Sequence, residues 1–291
     1  SVQSAYLHSL ASLLLELGRF QQAAELGERA SELRQGLYGP VSLETAESET
    51  LAATAFQEQA RFVEAEELFR RVLSTRRRLL GAQHPDTAMA RNNLGLLLWR
   101  RGKLTEAEEQ LGRALETSRE QLGDLHPGVL AGLGNLALVQ QQKGDLQSAE
   151  ALDRQALQLA RSLFGEDHLR FAVATNNLAL VLLQRNRLDE AETLARNSLR
   201  VRRNLLGEQH PASARAMHNL GLVLLAKERF HEAEGLFEDA LAIRRRLLGT
   251  EHPDVARSTW QLQRAQRLQS LSTREPPSRE GGPLAVGPTR I

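Results

Sequence analysis

Five histidines recur at intervals of 42 residues, and histidine is a frequent metal ligand. They are His84, His126, His168, His210 and His252. The ligands of one zinc ion must lie within about 2.1 Å of it. Helices pack about 8–10 Å apart, and at least two predicted helices separate each histidine from the next. We therefore expect these histidines to cap helices or to pack on the preceding turn, with no metal site and no cofactor.

Four asparagines recur with the same period. They are Asn93, Asn135, Asn177 and Asn219, and the same place holds Ser9 and Leu51 in the first two copies. A side-chain amide carries both a donor and an acceptor, which matches the groups that an extended peptide backbone presents. Alternatively, each asparagine hydrogen-bonds a neighbouring helix and only fixes how the repeats stack. Both interpretations stay open, and they can hold at different positions.

A repeat that covers most of the chain must position these side chains. Glycines stand 42 residues apart at Gly39, Gly81, Gly123, Gly165, Gly207 and Gly249. A second series marks another turn at Gly18, Ala60, Gly102, Gly144, Asn186 and Glu228. The register never slips over six copies, so a repeat architecture is the strongest signal in the sequence.

Each copy predicts two helices, as the third copy shows. Gly81 ends a helix because glycine tolerates a left-handed backbone, and Pro85 suits the first turn of the next helix. That helix is predicted to run to about Arg101, with residues 102–103 forming a turn and a second helix over about 104–122. Every unit therefore reads as a helix, a tight turn and a second helix.

A pair of helices leaves apolar faces that only neighbouring pairs can cover. We therefore expect one elongated all-α domain over residues 1–271 rather than two globules. Its units are about 1–39, 40–81, 82–123, 124–165, 166–207 and 208–249, followed by a capping helix within 250–271. Residues 272–291 are rich in Pro and Gly, which predicts a disordered tail or linker.

Composition excludes several classes of function. The 291 residues include 37 basic and 36 acidic side chains, so no global field favours nucleic acid or a membrane surface. There are no cysteines, which excludes disulfides and thiolate metal sites. No apolar run approaches the roughly 18 residues of a membrane span. The chain has no catalytic Ser/His/Asp order and no phosphate loop, and we expect a cytoplasmic protein that is not an enzyme.

Arginines cluster at 76–78, 202–203 and 244–246, where second helices are predicted to end. Glutamates begin the same helices, and this order matches the helix macrodipole. We therefore expect a solvated face rather than a basic stripe that meets nucleic acid or an acidic partner. Trp99 lies beside the face of Asn93, and we expect it to pack against a neighbouring helix, with a ligand anchor as the alternative.

The spacing within each unit resembles the tetratricopeptide repeat, with small residues where helices cross and large ones between. In the third unit it reads Leu94, Gly95, Leu98, Gly102, Leu104, Ala107, Leu111 and Ala114. The 42-residue period and linkers such as "LLGEQHP" are similar to the long repeats of kinesin light chain and its bacterial relatives. The resemblance covers about residues 1–270. It implies a right-handed superhelical α-solenoid of six helix-turn-helix repeats with a C-terminal capping helix.

The same resemblance implies that Asn93, Asn135, Asn177 and Asn219 line a concave groove and hold the backbone of a peptide. On a helical wheel, Asn93 points away from Leu94, Gly95 and Leu98, the predicted core side. The groove is then edged by Leu96, Leu138, Leu180, Leu222, Arg100 and Arg215, with Met89, Ala131 and Val173 one turn earlier. Only Arg215 and Arg100 are basic, so we do not expect the carboxylate clamp of other members.

We therefore predict a protein–protein interaction scaffold that binds an extended or helical segment of a partner in its groove. Two alternatives stay open. The chain begins with Ser1 rather than Met, so we also consider a sensor or regulatory arm excised from a larger protease, kinase or ATPase. The other alternative is a structural role, in which solenoids self-associate and the groove takes a copy of the chain.

Overall fold

The computed structural model describes residues 2–272, which form helices joined by short turns. The helices, in chain order, are α1 (Val2–Glu16), α2 (Phe20–Tyr38), α3 (Leu43–Glu58), α4 (Phe62–Leu80), α5 (Pro85–Arg100), α6 (Leu104–Leu122), α7 (Pro127–Lys143), α8 (Leu146–Phe164), α9 (Leu169–Gln184), α10 (Leu188–Leu206), α11 (Pro211–Ala226), α12 (Phe230–Leu248) and α13 (Pro253–Ser272). The two helices predicted for the third repeat are confirmed as α5 and α6. The predicted tail begins at Ser272, which closes α13, and its other residues, 273–291, lie outside the described part.

The helices divide into two compact units, the first ending at Arg187 and the second beginning at Leu188. In the first unit each helix from α1 to α8 packs on the next one, and first helices of consecutive repeats also touch, as α5 touches α7 and α7 touches α9. In the second unit α10 to α13 pack consecutively, and α11 also touches α13. Both units are thus built as helix pairs stacked on helix pairs, the all-α repeat fold of solenoids.

The recurring histidines begin the first helices. The Nδ1 atom of each accepts a hydrogen bond from the backbone N–H two residues later, at 3.0–3.1 Å, as His84 does from Asp86. Ser42 fills this role in the second repeat through its hydroxyl oxygen, which accepts from the N–H of Thr45. The predicted capping role is confirmed, and it orients the first turn of α5, α7, α9, α11 and α13.

The linker glycines end the second helices with the predicted positive φ, but with an extended ψ instead of the ψ of a left-handed helical cap. Gly81 has φ 95° and ψ 166°, and the other linker glycines have φ between 76° and 87°. Positive φ combined with extended ψ is a region that essentially only glycine occupies. The correction therefore strengthens the reason why glycine stands at this place in every unit.

The helices of a pair cross where a small residue faces a large one. A Cβ atom placed on Gly95 would lie 2.6 Å from Cγ of Leu111, and one placed on Gly221 would lie 2.7 Å from Cε1 of Phe237. Both distances are shorter than carbon atoms tolerate, so each glycine is needed for its partner to reach the core. The sequence pattern of small residues at crossings is confirmed here.

Candidate functional site

Within each of the two units, the residues predicted to edge a groove lie on one side of the first helices, which we call the asparagine face. In the first unit it comprises Met89, Asn93, Leu96 and Arg100 on α5, Ala131, Asn135 and Leu138 on α7, and Val173, Asn177 and Leu180 on α9. In the second unit the corresponding residues on α11 are Arg215, Asn219 and Leu222. The asparagines and leucines are all half-buried, whereas Met89 and Val173 are exposed, Met89 by 52%.

The opposite side of α5 is the core. Leu94, Gly95 and Leu98 are buried, and Leu94 and Leu98 belong to a core cluster that extends over several helices of the first unit. The helical wheel therefore placed Asn93 correctly, on the side that faces away from its own helix pair. Whether this side binds a ligand stays a prediction.

The asparagines of this face are not equivalent. The Nδ2 atom of Asn135 donates a hydrogen bond of 2.8 Å to Oδ1 of Asn92, one repeat earlier. This bond joins α7 to α5, so it stabilises the stacking of two repeats. At Asn135 the structure therefore supports the stacking interpretation, which sequence analysis had left open.

Asn177 occupies the same place one repeat later, but its neighbour differs. Gly134 stands where Asn92 stands relative to Asn135, and a Cβ atom on Gly134 would lie 3.9 Å from Nδ2 of Asn177. Glycine supplies no side-chain acceptor, and neither Asn177 nor Asn93 has a side-chain hydrogen bond within the described residues. Two half-buried amides on this face thus keep their donor and acceptor available.

The two arginines of the face differ in their partners. Nη1 of Arg100 forms an ion pair of 3.1 Å with Glu58 of the preceding repeat. Arg215 is exposed, and its positive charge helps to lower the pKa of the buried Arg202. The expectation that this face lacks a carboxylate clamp stays a prediction.

Trp99 packs against the core cluster of the first unit. Its indole Nε1 is buried and has no hydrogen-bond partner within the described residues. The predicted packing of Trp99 is confirmed, and its alternative role as a ligand anchor stays a prediction.

Glutamates of three second helices pair with basic residues of the following repeat, a feature that the sequence analysis missed. Glu66 accepts bonds from Arg101 and Lys103, the latter at 3.0 Å. The same arrangement recurs at two glutamates later in the chain. Glu150 is paired with Arg185 and Arg187, and Glu192 is paired with Lys227 and Arg229. The signal was present, since each glutamate precedes two basic turn residues by 35 and 37 positions.

Basic neighbours stabilise the negative charge of Glu192. Burial alone would raise the pKa of its carboxyl, but hydrogen bonds from Lys227, Arg196 and Arg229 outweigh burial and lower that pKa to about 2. The carboxylate is thus ionised at any pH near neutrality, and it fixes the turn between α11 and α12 against α10.

The arginine clusters are only partly the solvated face that was predicted. Arg202 and Arg244 are buried, Arg202 to 2% exposure. Each donates from Nη1 to a backbone carbonyl ten residues later, in the first turn of the next helix, at 3.1 Å for Arg202. Arg34 and Arg76 make the same bond in the first unit. The prediction is wrong for Arg202 and Arg244, because the carbonyl at the start of the next helix offers an acceptor that the macrodipole argument ignores.

One buried carboxyl has no counterpart in the other repeats. Asp153 is 2% exposed, and its Oδ1 atom has no hydrogen-bond partner within the described residues. Burial raises the pKa of this carboxyl to about 7. The equivalent core position in other repeats holds Phe69, Leu111 and Phe237. The carboxyl of Asp153 therefore weakens the packing of α7 on α8.

Two searches of residues 2–272 bear on other functions. No group of three or more histidine, aspartate or glutamate side chains there could hold a metal ion. None of the helices in that range is both long enough and apolar enough to cross a membrane.

Comparisons with known proteins agree with the repeat. Six overlapping matches to the tetratricopeptide repeat family cover residues 2–78, 48–120, 86–162, 128–192, 170–246 and 218–271. No curated protein matches the chain.

Solved structures show the same fold. BtubC (BKLC) from P. vanneervenii is 23% identical with a TM-score of 0.64, covering 93% of this chain and 99% of its own. A putative kinesin light chain with nearly identical repeats from Podosopora anserina is 24% identical with a TM-score of 0.60, covering 68% of this chain and 94% of its own. The apo quorum sensor NprR from B. thuringiensis is 14% identical with a TM-score of 0.66, covering 94% of this chain and 71% of its own. The family matches span nearly all described residues, and the chain belongs to the tetratricopeptide repeat family.

Proposed function

We propose that the asparagine face of the first unit binds an extended segment of a partner protein. Tetratricopeptide repeats typically mediate protein–protein interaction, but the fold alone does not say where. The observation that carries the proposal is the pair of half-buried amides at Asn93 and Asn177, which have no internal hydrogen bond. Half-buried polar groups on a folded surface gain most when a ligand supplies their partners.

The surroundings of these amides define the ligand. Met89 and Val173 are exposed one turn before each asparagine, and Leu96 and Leu180 are half-buried just after it. An amide flanked by apolar side chains suits a segment whose backbone binds the amide and whose apolar side chains pack beside it. We therefore expect an extended, partly apolar peptide rather than a strongly acidic one.

Displayed random linear peptides, selected against the wild-type protein, test the proposal. The affinity of the enriched peptides is then measured by fluorescence anisotropy for wild type, for the double variant Asn93→Ala/Asn177→Ala and for the control Asn135→Ala. Two lost hydrogen bonds predict affinity weaker by about tenfold or more in the double variant. The control loses a bond internal to the protein and should bind within about threefold of wild type. Equal binding by wild type and the double variant would refute the proposal.

The other roles are decided by separate observations. Self-association predicts a molar mass that rises with concentration in light scattering, and that rise should disappear in the same double variant if a second copy fills the face. A role as the regulatory arm of a larger protein is tested by determining the sequence of the full-length gene. A role without catalysis, and a cytoplasmic location, remain predictions.

A further inference from the structure

A cleft of about 360 Å³ lies between α4 and α6, with α5 as its floor. It is on the other side of α5 from the asparagine face, since Arg91 in the floor and Asn93 are about 200° apart around the helix. Arg70, Arg77, Arg91 and Arg113 line the cleft together with one carboxylate, Glu109. Arg77 and Arg91 have no ion pair within the described residues, so the cleft carries uncompensated positive charge in a chain of nearly balanced charge.

Arg91 is the unusual member of this group. Its side chain is 6% exposed, and Nε is buried without a hydrogen-bond partner. No ion pair or hydrogen bond to Arg91 occurs within the described residues. Burial lowers the pKa of its guanidinium, and the positive charges of Arg113 and Arg77 lower it further. A buried charge without a partner is costly, and proteins rarely keep one without a use.

The carboxylates of the chain near the cleft are already engaged. Glu109 pairs with Arg113 at 2.9 Å. Arg70 is bound by Glu66 and Glu106. None of them forms an ion pair with Arg91, whose positive charge Glu109 offsets only in part, since the pKa of Arg91 remains lowered. Arg77 has no ion pair within the described part of the chain.

The preceding repeat holds the same cleft with the opposite charge. Its lining includes Glu28, Glu49 and Arg71, which stand 42 positions before Arg70, Arg91 and Arg113. Glu49 is 2% exposed and forms an ion pair with Arg71. One repeat later Arg91 replaces the glutamate while Arg113 keeps the place of Arg71. An internal ion pair has thus become two like charges, which an external anion would neutralise.

We propose that this cleft binds a phosphate monoester group through Arg91, Arg77 and Arg113. Such a group carries about −1.5 to −2 charges near neutral pH and three strong acceptor oxygens. Arginine binds phosphate oxygens through two parallel N–H groups, a geometry that lysine lacks. A single carboxylate would leave more positive charge uncompensated. The proposal is independent of peptide binding, because the two sites lie on opposite sides of α5.

Calorimetric titration with inorganic phosphate, at constant low ionic strength, tests the site. Arg91→Met removes the buried charge and keeps the side-chain volume, and exposed Arg77→Gln serves as a second variant with little risk to folding. The matched control is Arg78→Gln, which neutralises the adjacent exposed arginine of α4. We expect both cleft variants to bind phosphate at least about tenfold more weakly than wild type, and the control to bind within about twofold.

Melting temperature gives an independent measurement. Phosphate should raise that of wild type and leave that of Arg91→Met unchanged, whereas without phosphate the variant should melt higher than wild type. A phosphoserine peptide that binds more tightly than inorganic phosphate would assign the group to a modified protein, and a tighter sugar phosphate would assign it to a metabolite. No binding by wild type, or equal weakening by Arg78→Gln, would overturn the proposal.

Discussion

Asn135 donates a 2.8 Å hydrogen bond to Asn92 of the preceding repeat, while Asn177, one repeat later, faces Gly134 and has no such partner. One position of the repeat therefore holds amides in two different states. At Asn135 the amide joins two helices, and at Asn177 it makes no side-chain hydrogen bond within the described residues.

The first prediction compares Asn135 and Asn177 by their contributions to the free energy of unfolding. Asn135→Ala should lower the free energy of unfolding by about 1 kcal/mol, because a half-buried hydrogen bond is lost. Asn92→Ala should cost a similar amount, and the double variant should cost less than the sum. Asn177→Ala should change stability by only a few tenths of a kcal/mol. Urea denaturation followed by circular dichroism measures all four, and equal losses for Asn135→Ala and Asn177→Ala would contradict the distinction.

The turns within the pairs supply a second prediction. Ala60 and Glu228 have φ 59° where other repeats have glycine, and a left-handed conformation costs a side chain roughly 1 kcal/mol. Ala60→Gly and Glu228→Gly should therefore raise the melting temperature. Gly102→Ala, the reverse change at the same place, should lower it. If both kinds of change act in the same direction, backbone strain is not the cause.

A third prediction concerns the crossing of α11 and α12. Gly221→Ala would bring a Cβ atom to 2.7 Å from Phe237, and such overpacking typically costs about 1–3 kcal/mol. Gly235→Ala is the matched control, since Gly235 lies on α12 with nothing within 4 Å of an added Cβ. Alanine favours helix over glycine, so the control should gain up to about 1 kcal/mol. Thermal melts of the two variants should shift in opposite directions.

The buried Asp153 predicts a pH dependence of stability. Its pKa is raised from 3.8 to about 7 in the folded state, so the folded state binds the proton more tightly than the unfolded state. This carboxyl therefore destabilises the fold most above about pH 7. The free energy of unfolding rises as pH falls from 7 toward 3.8. The slope is about 1.4 kcal/mol per pH unit within that window.

Asp153→Leu restores the residue type of Leu111 and should remove that slope, raising stability most at alkaline pH. Denaturation of wild type and variant across the window measures the difference. A constant difference at every pH would mean that Asp153 is not protonated on folding.

Glu192 titrates with the opposite sign. Its pKa falls from 4.5 to about 2 on folding, so its contribution is complete above about pH 4.5 and is lost as pH falls through 2. Glu192→Gln should destabilise the protein at neutral pH and lose its effect in strong acid. A variant that is equally destabilised in strong acid would show that packing, not charge, matters at this turn.

The periodic part of this structure could be predicted from sequence because each unit repeats the same local solution. Gly81 and Pro85 mark helix ends by backbone preference alone, and Gly95 marks a crossing because its partner Leu111 is large. Those signals are local or lie within one unit, and six copies average out the accidents of any one.

The differences between units were harder to predict. The bond from Asn135 depends on a neighbour in the previous repeat, and the burial of Arg202 depends on a carbonyl ten residues away. Asp153 and Arg91 could have been found by aligning the units, since each breaks the pattern at a core or cleft position. What alignment could not give is that both side chains are buried and without partners.

We propose that Asn177 binds the backbone of a peptide ligand, and a double-mutant cycle measures this contact. The four affinities are those of wild type and Asn177→Ala for a selected peptide and for the same peptide N-methylated at the amide that the asparagine binds. The claim predicts that each change alone weakens binding and that together they cost less than their sum, with a coupling of about 0.5–1.5 kcal/mol. Strictly additive losses at every backbone amide of the peptide would contradict it.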